Sequence, residues 1–233
     1  MRQTNLLPDE RDHARSTTGI APTVLAVSTP ELRAATTPLP LHEARVGAVR
    51  LTSNRIARRD RIVDAAMSLA AQGYDSCHIR SVATAAGVAA ATVYQYFPSK
   101  DDLLLACFHE WLWDFETEFR CDTNDPDPFR RLLQVSLTLT DSLSASPRFA
   151  ESMIRPYLYA DGTAAAQADM VRRQLVRIFI GSLGEHELNP RQIGAAEILS
   201  DVWMTNIAAF TQQRIPLEDL TQRLARTVAL LKG

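Results

Sequence analysis

Long stretches with apolar residues at helical spacing, interrupted at prolines, are the feature that most limits what this chain can form. No segment shows the period of two that marks a β-strand. Proline is tolerated in the first turn of a helix and ends the helix before it, so Pro126, Pro128, Pro147, Pro190 and Pro216 indicate boundaries. The pattern predicts helices at 100–120, 127–144, 148–160, 163–183, 191–213 and 217–231.

Three shorter helices are predicted in the fifty residues before this region. A glycine after a helical pattern favours a helix end, because glycine adopts the left-handed backbone conformation at no steric cost. The apolar residues form three sets, two followed by a glycine and one by a proline: 56–70 before Gly73, 79–86 before Gly87, and 93–97 before Pro98.

The charge is divided unevenly along the chain, although the net charge is only −2. Residues 50–100 carry a balance of +4 and residues 101–233 a balance of −6. Residues 1–50 contain five of the twelve prolines and no sustained periodicity, which is typical of disorder. The expected organisation is an all-α protein with a disordered tail (1–50), a basic head (51–100) and an acidic helical body (101–233).

Several classes of protein are excluded or disfavoured. Apolar residues make up 46% of the chain and charged residues 22%, as in globular proteins, and no apolar run is long enough to cross a membrane. The N-terminus lacks the layout of a signal peptide, so we expect a cytoplasmic protein, associated with the nucleoid when bound to DNA. Three cysteines without a Cys-x-x-Cys pair, and scattered histidines, favour neither a disulfide framework nor a metal site.

Motifs for catalysis are also missing. The chain has no glycine-rich phosphate loop and no Gly-x-Ser-x-Gly elbow. His109-Glu110 begins a metalloprotease-like string, but Trp113 stands where the second histidine would be needed. We therefore expect no enzymatic activity and no cofactor.

Residues 79–103 predict a helix-turn-helix, with Gly87 at the turn and Val88 directed into the core. Small residues on the second helix would allow close approach to a groove wall: alanine methyls can touch thymine methyls, Gln95 can pair with an adenine edge, and Arg80 can reach guanine. Hydroxyl groups and the Lys100 ammonium suit phosphates, which position a helix without reading sequence. Taken singly, these residues favour ordinary explanations: Tyr94 and Tyr96 as half-buried aromatics, and the three alanines as good helix formers.

The assembled string resembles a known family. Tyr94-Gln-Tyr96-Phe97-Pro-Ser-Lys100-Asp-Asp-Leu103 is similar to the end of the DNA-binding signature of TetR-type transcriptional repressors. The resemblance implies a homodimer that places two recognition helices in successive major grooves of a palindromic double-stranded operator, with a separate ligand-binding and dimerisation body. It implies base contacts by Arg80, Ala90, Ala91 and Gln95, and phosphate contacts by Arg55, Arg58, Thr92, Tyr94, Tyr96 and Lys100.

Stretches in the body resemble one branch of this family more closely. The sequences at 155–161, 200–206 and 223–231 are similar to KstR-like repressors, which control sterol and cholesterol breakdown. This resemblance implies a hydrophobic effector, a steroid-derived acid or its coenzyme A thioester, and control of lipid-degradation genes. Two alternatives are a TetR-type regulator of fatty acyl-CoA metabolism or drug efflux, and a helical lipid-binding protein whose head does not bind DNA.

Aromatic and apolar residues at helical spacing could line a ligand pocket between helices of the body, although such a stripe is also typical of plain core. If Arg155 were buried, it would need a carboxylate, such as Asp161 or Asp201, or an anionic ligand group. The candidate pocket residues are Phe108, Trp111, Leu112, Phe115, Met153, Arg155, Tyr157, Phe179, Trp203, Asn206 and Phe210.

The last two predicted helices are expected to form the dimer interface. Leucine and valine recur at spacings of three and four in the final helix, which suits a contact between subunits. Packing inside one subunit explains the same stripe equally well. Its members are Leu217, Leu220, Leu224, Val228 and Leu231.

Overall fold

The computed structural model describes residues 53–119, 125–184 and 188–233. Within these ranges it contains helices and no strand. The tail predicted for 1–50 lies outside the described residues, as does Cys121. The head contains α1 (Ser53–Ala70), a short 3-10 helix η1 (Tyr74–Ser76), α2 (Ile79–Ala86) and α3 (Ala90–Tyr96). The body contains α4 (Lys100–Glu118), α5 (Pro128–Ser144), α6 (Pro147–Leu158), α7 (Gly162–Leu183), α8 (Pro190–Thr211) and α9 (Leu217–Lys232). The predicted all-α fold is confirmed.

Local hydrogen bonds explain where the body helices begin. The Ser99 hydroxyl accepts a hydrogen bond from the Asp102 backbone N–H (3.1 Å), and the Asp127 carboxylate accepts one from Phe129 N–H (3.0 Å). Asn189 forms a capping box with Gln192 at the start of α8. Such caps satisfy backbone donors that have no partner within the helix. Each predicted body helix is present, and its ends differ from the prediction by at most two residues.

The head is built around a small apolar core. Ile62 and Ala66 of α1 are fully buried with Val82 of α2 and Val93 of α3. Each of these short helices is hydrophobic on one face only, so none could bury that face alone. Mutual burial of these faces therefore fixes the orientation of α2 and α3 relative to α1.

The first helix of the body shares this core. Cys107 on α4 is fully buried against α1, where its thiol contacts the backbone carbonyl of Val63, and the Cys77 thiol contacts the carbonyl of Ala66. Burial raises the pKa of both thiols, so both pack as neutral groups. The contact between α1 and α4 is thus an apolar junction of head and body.

The structure decides between the two explanations of the apolar stripe of α9 in favour of packing inside one subunit. Leu220, Leu224 and Val228 are buried within the subunit, where α9 packs against α5 and α8. Leu217 and Leu231 are half-buried at the two ends of the helix. Because the inward face of α9 is already covered, the stripe is not a free surface for a second subunit.

Arg131 is a buried arginine that joins three segments through backbone carbonyls. Its Nε donates to Ser182 O (2.9 Å), Nη2 donates to Leu183 O (2.6 Å), and Nη1 donates to Asp125 O. Ser182 and Leu183 end α7, where unpaired carbonyls carry the negative end of the helix dipole. Arg131 therefore caps α7 and ties it to the start of α5.

Candidate nucleic-acid interface and ligand-binding body

The turn between α2 and α3 has the geometry that the sequence predicts. Gly87 adopts a left-handed conformation (φ 66°, ψ 39°), which a residue with a side chain rarely adopts. Its N–H donates to Thr84 O (3.2 Å), and the Val88 N–H donates to Ala83 O (2.9 Å). These bonds satisfy carbonyls at the end of α2 and set the direction in which α3 leaves the turn.

The outer face of α3 is free to contact a groove. Ala91, Tyr94 and Gln95 are exposed, and Tyr94 has 54% of its surface accessible, whereas Val93 is fully buried on the opposite face. Ala90, the first residue of α3, is half-buried against the core. Arg80, the second residue of α2, is also exposed. Arg80, Ala91 and Gln95 can therefore meet base edges, and Tyr94 can reach a phosphate. The base-contact roles of these residues and of Ala90, and the phosphate role of Tyr94, remain predictions.

Basic side chains of α1 lie beside the end of α3. Arg55 and Arg58 are exposed, and the Arg55 guanidinium carbon lies 6.0 Å from the centre of the Tyr96 ring. The Arg59 guanidinium carbon lies 5.6 Å from the Phe97 ring centre. Cation–π contacts of this kind hold arginines at a fixed place without neutralising their charge. The first helix and the recognition helix therefore share one positively charged edge.

The remaining phosphate candidates are less accessible. Thr92 and Tyr96 are half-buried. Lys100 is also half-buried; its Nζ donates to the Tyr74 backbone carbonyl and lies 3.5 Å from the centre of the Tyr74 ring. The structure thus gives Lys100 an internal partner that the sequence did not suggest, and a phosphate contact would compete with it.

Most of the candidate pocket residues lie in one continuous core. Among them, Trp111, Tyr157 and Phe210 are half-buried, and the side chain of Trp111 packs between three other aromatic rings. Its ring centre lies 6.1 to 6.2 Å from those of Phe108, Phe115 and Phe149. The fully or almost fully buried candidates are Phe108, Leu112, Phe115, Met153, Phe179 and Trp203.

Two candidates lie elsewhere. Arg155 is exposed, and its guanidinium carbon lies 4.2 Å from the centre of the Tyr74 ring, so the condition that it be buried against a carboxylate is not met. Asp201 pairs with Arg172 instead (3.1 Å). Asn206 is buried between α8 and α9, where it donates to Val202 O (2.8 Å) and accepts from Arg223 (3.3 Å).

Two cavities accompany these outlying residues. A groove of about 570 Å³ beside α6 is lined by Arg155, and a depression of about 320 Å³ along α8 is lined by Asn206. The other nine candidates line neither cavity. The structure therefore separates the candidates into a packed aromatic core and two polar residues at different surfaces.

The part of the chain that the structure describes contains no cluster of three or more histidine, cysteine or acidic side chains suited to a metal ion. None of its helices combines the length and apolarity needed to cross a membrane.

Comparison with known proteins decides the family. Residues 62–107 match the family model of bacterial regulatory proteins of the tetR family, and residues 127–231 match a tetracyclin repressor-like C-terminal domain. The chain is 35% identical over 194 residues to the HTH-type transcriptional repressor KstR of Rhodococcus jostii, covering 82% of this chain and 90% of that protein. The chain belongs to the TetR family. It is also 35% identical to KstR of Mycobacterium tuberculosis over 76% of this chain and 81% of that one.

This TetR-family chain is a KstR-like, DNA-binding transcriptional repressor and not an enzyme. Among solved structures, a TetR regulator from Rhodococcus sp. RHA1 superposes with a TM-score of 0.67 at 25% identity, covering 77% of this chain and 97% of that one. FadR of Bacillus subtilis, solved in complex with stearoyl-CoA, shares the fold with a TM-score of 0.53 at 19% identity, covering 74% of this chain and 96% of that one.

Sequence reasoning missed two residues that the structure makes prominent. Tyr74 lies between α1 and α2 and contacts Lys100, Asp101 and Arg155. The available signal was a single aromatic residue in the otherwise polar segment after Gly73. Arg131 gave no signal, because the two carbonyls that it caps on α7 are more than fifty residues away.

Proposed function

We propose that this repressor binds a palindromic operator as a homodimer and is released by a hydrophobic effector, a steroid-derived acid or its coenzyme A thioester, to control lipid and sterol degradation genes. The observation that carries the proposal is the 35% identity to KstR repressors over 90% of a relative's length. Similarity of that extent covers the head, where DNA is read, and the body, where an effector would bind.

The exposed face of α3 supports the roles proposed for the head. Gln95 and Arg80 project from surfaces free of internal packing, which hydrogen bonding to base edges requires. Arg55 and Arg58 lie on the same edge and are assigned to phosphates. In this proposal α3 and the start of α2 read the base sequence, and α1 positions the protein on the phosphate backbone.

The outer faces of α8 and α9 support the dimer. Ile198 on α8 is 51% exposed and Leu230 on α9 is 82% exposed, although both are large apolar residues. The depression beside Ile198 continues along Val202 and Thr205, so this side of α8 is a shallow apolar surface. We assign the subunit contact to these outward faces and not to the buried leucine stripe of α9.

The aromatic core of the body supports a hydrophobic effector. Trp111 is only half-buried although it contacts three aromatic rings, so this end of the core is open to an incoming apolar group. Apolar walls with few polar groups are typical of small-molecule sites. An effector there would displace aromatic side chains of α4 and α6, and binding that favours one arrangement of these helices shifts the population of the whole protein.

A mobility-shift titration with the DNA upstream of the protein's own gene tests the proposal. Retention should fall as salt rises, and a steroid acid or its coenzyme A thioester should release the complex, whereas free coenzyme A should not. Gln95→Ala should weaken the operator more than random DNA, while Gln134→Ala, an exposed glutamine of α5, should change neither. Salt-insensitive binding, or no binding, would contradict the proposed operator binding.

A fatty acyl-CoA effector is the second candidate. A segment of 85 residues is 32% identical to the fatty acid metabolism regulator protein of Bacillus subtilis, covering 36% of this chain and 44% of that protein. Release of the operator by long-chain acyl-CoA and not by the steroid thioester would favour this candidate. Release by steroid compounds alone would favour the first.

A further inference from the structure

Tyr74 lies where the head meets the body, and three side chains from two body helices converge on it. Its hydroxyl donates a 2.8 Å hydrogen bond to Asp101 Oδ1 at the start of α4. Lys100 Nζ and the Arg155 guanidinium carbon lie 3.5 Å and 4.2 Å from its ring centre. We call Tyr74, Lys100, Asp101 and Arg155 the Tyr74 clamp.

A hydrogen bond to the end of α1 also joins α6 to the head. Ser152, three residues before Arg155 and so on a neighbouring face of the helix, donates a 2.9 Å hydrogen bond to the carbonyl of Ala70, the last residue of α1. Earlier on α6, Phe149 contacts Trp111 of the aromatic core. One helix of twelve residues therefore connects the interior of the body to the head.

The two junctions of head and body differ in chemistry. Between α1 and α4 the contact is apolar and fully buried, with Leu103 and Cys107 inaccessible to solvent. Around Tyr74 the contact is polar, Arg155 is exposed, and a groove of about 570 Å³ lined by Tyr74, Asp101 and Arg155 opens beside it. Polar contacts with room beside them can be exchanged at small energetic cost, whereas a packed core resists rearrangement.

We propose that the Tyr74 clamp, with Arg155 as its positioning residue, sets the angle at which the head projects from the body and thereby the half-site spacing that the repressor accepts. The inference rests on the proposed dimeric operator binding. The apolar α1–α4 junction acts as the pivot, and the clamp holds the head at one angle about it. Half-sites read by such dimers lie about 34–36 Å apart, so a small change of angle moves the recognition helices out of register.

The operator half-sites are first selected from random DNA with the wild-type protein. The affinities of full-length variants are then compared on duplexes in which the two half-sites are moved apart or together by one or two base pairs. Arg155→Ala removes the exposed cation, and Arg148→Ala on the same helix is the matched control. An exposed cation–π contact changes an equilibrium constant a few-fold, and a dimer has two clamps. Arg155→Ala should therefore reduce the preference in affinity for the selected spacing by about fivefold or more.

Other readouts separate positioning from stability. Affinity for a single half-site should be unchanged in Arg155→Ala. Arg155→Lys should restore part of the spacing preference. Tyr74→Phe, which keeps the ring and loses the hydrogen bond to Asp101, should have a spacing preference between those of wild type and Arg155→Ala. An Arg155→Ala protein with the wild-type spacing preference overturns the inference and leaves the proposed function standing. A wild-type protein that selects no half-site or no spacing overturns both.

Discussion

The indole Nε1 of Trp203 donates a 2.9 Å hydrogen bond to the hydroxyl of Thr140, and both side chains are fully buried. Thr140 in turn donates to the carbonyl of Ser136 one turn earlier on α5 (2.7 Å). The two bonds form a short chain between α8 and α5 that satisfies the polar atom of the largest core residue. Trp203 therefore has a structural role in joining α8 to α5.

Thr140→Val tests this role with almost no change in volume. The substitution leaves the indole N–H buried without a partner, which costs about 1–3 kcal/mol of unfolding free energy. Chemical denaturation followed by circular dichroism measures the loss. Thr140→Ser, which keeps the hydroxyl, should retain the bond to Trp203, and a Thr140→Val protein as stable as wild type would contradict the assignment.

Arg131→Met should also destabilise the body. The variant keeps much of the side-chain volume but leaves the carbonyls of Ser182 and Leu183 at the end of α7 without their donor. We expect a loss of about 2–3 kcal/mol in the same denaturation experiment. Arg130→Met is the control, because the Arg130 side chain is 75% exposed and its ion pair with Asp127 is long (3.7 Å). Equal losses of unfolding free energy in the two variants would contradict the role of Arg131 as the cap of α7.

Some parts of this protein could be predicted from its sequence because their causes are local. Helix ends follow from proline and from capping residues such as Ser99 and Asn189, whose partners are three residues away. The turn of the helix-turn-helix follows from Gly87, since the left-handed conformation leaves few alternatives to glycine. The exposed face of α3 follows from its helical period.

The remaining features depend on contacts between distant segments. Helical periodicity shows that one face of α9 is buried, but it does not show which elements bury it. In the structure this face packs against α5 and α8 of the same subunit. The sequence predicts an anionic partner for Arg155 if the side chain is buried, yet Arg155 is exposed and its partner Tyr74 lies 81 positions away. No local rule relates such positions, so these roles require the three-dimensional arrangement.

Arg58→Gln should lower the salt dependence of operator binding. Arg58 is exposed near the start of α1, on the basic edge beside α3. Each phosphate contact adds about 0.9 to the slope of log affinity against log salt concentration, so the variant should lose about that amount. Fluorescence anisotropy over a series of salt concentrations measures the slope. Arg173→Gln, an exposed arginine of α7, should retain the wild-type slope, and an unchanged slope for Arg58→Gln would remove Arg58 from the interface.

Ile198→Glu should convert a dimer into monomers. The side chain is 51% exposed on the α8 face assigned to the subunit contact, and a carboxylate placed there on both subunits would be desolvated without a partner. Sedimentation velocity gives the oligomeric state, and operator affinity should fall with dimerisation. Leu158→Glu places the same charge at a 40% exposed leucine of α6 and should remain dimeric. A dimeric Ile198→Glu protein would exclude this part of α8 from the interface.

Tyr74 should ionise well above the ordinary range of tyrosine. Burial, together with the hydrogen bond to Asp101, raises the pKa of Tyr74 to about 12 from an ordinary value near 10. A pKa raised by folding means that the folded state holds the proton more tightly than the unfolded state. The contribution to stability is therefore complete below about pH 10 and is lost as the pH rises towards 12.

Tyr74→Phe should remove this part of the alkaline decline in unfolding free energy. Burial also raises the pKa of Tyr157, so a smaller decline should remain in the variant. Difference absorbance of tyrosinate, recorded for wild type and variant along the same alkaline titration, should show one fewer late-ionising group among the five tyrosines. Tyr159→Phe, which removes a 72% exposed tyrosine, controls for the loss of a phenol as such. If the late-ionising group persists in Tyr74→Phe, the bond to Asp101 does not hold the Tyr74 proton in solution, and the contact between head and α4 is looser than the structure describes.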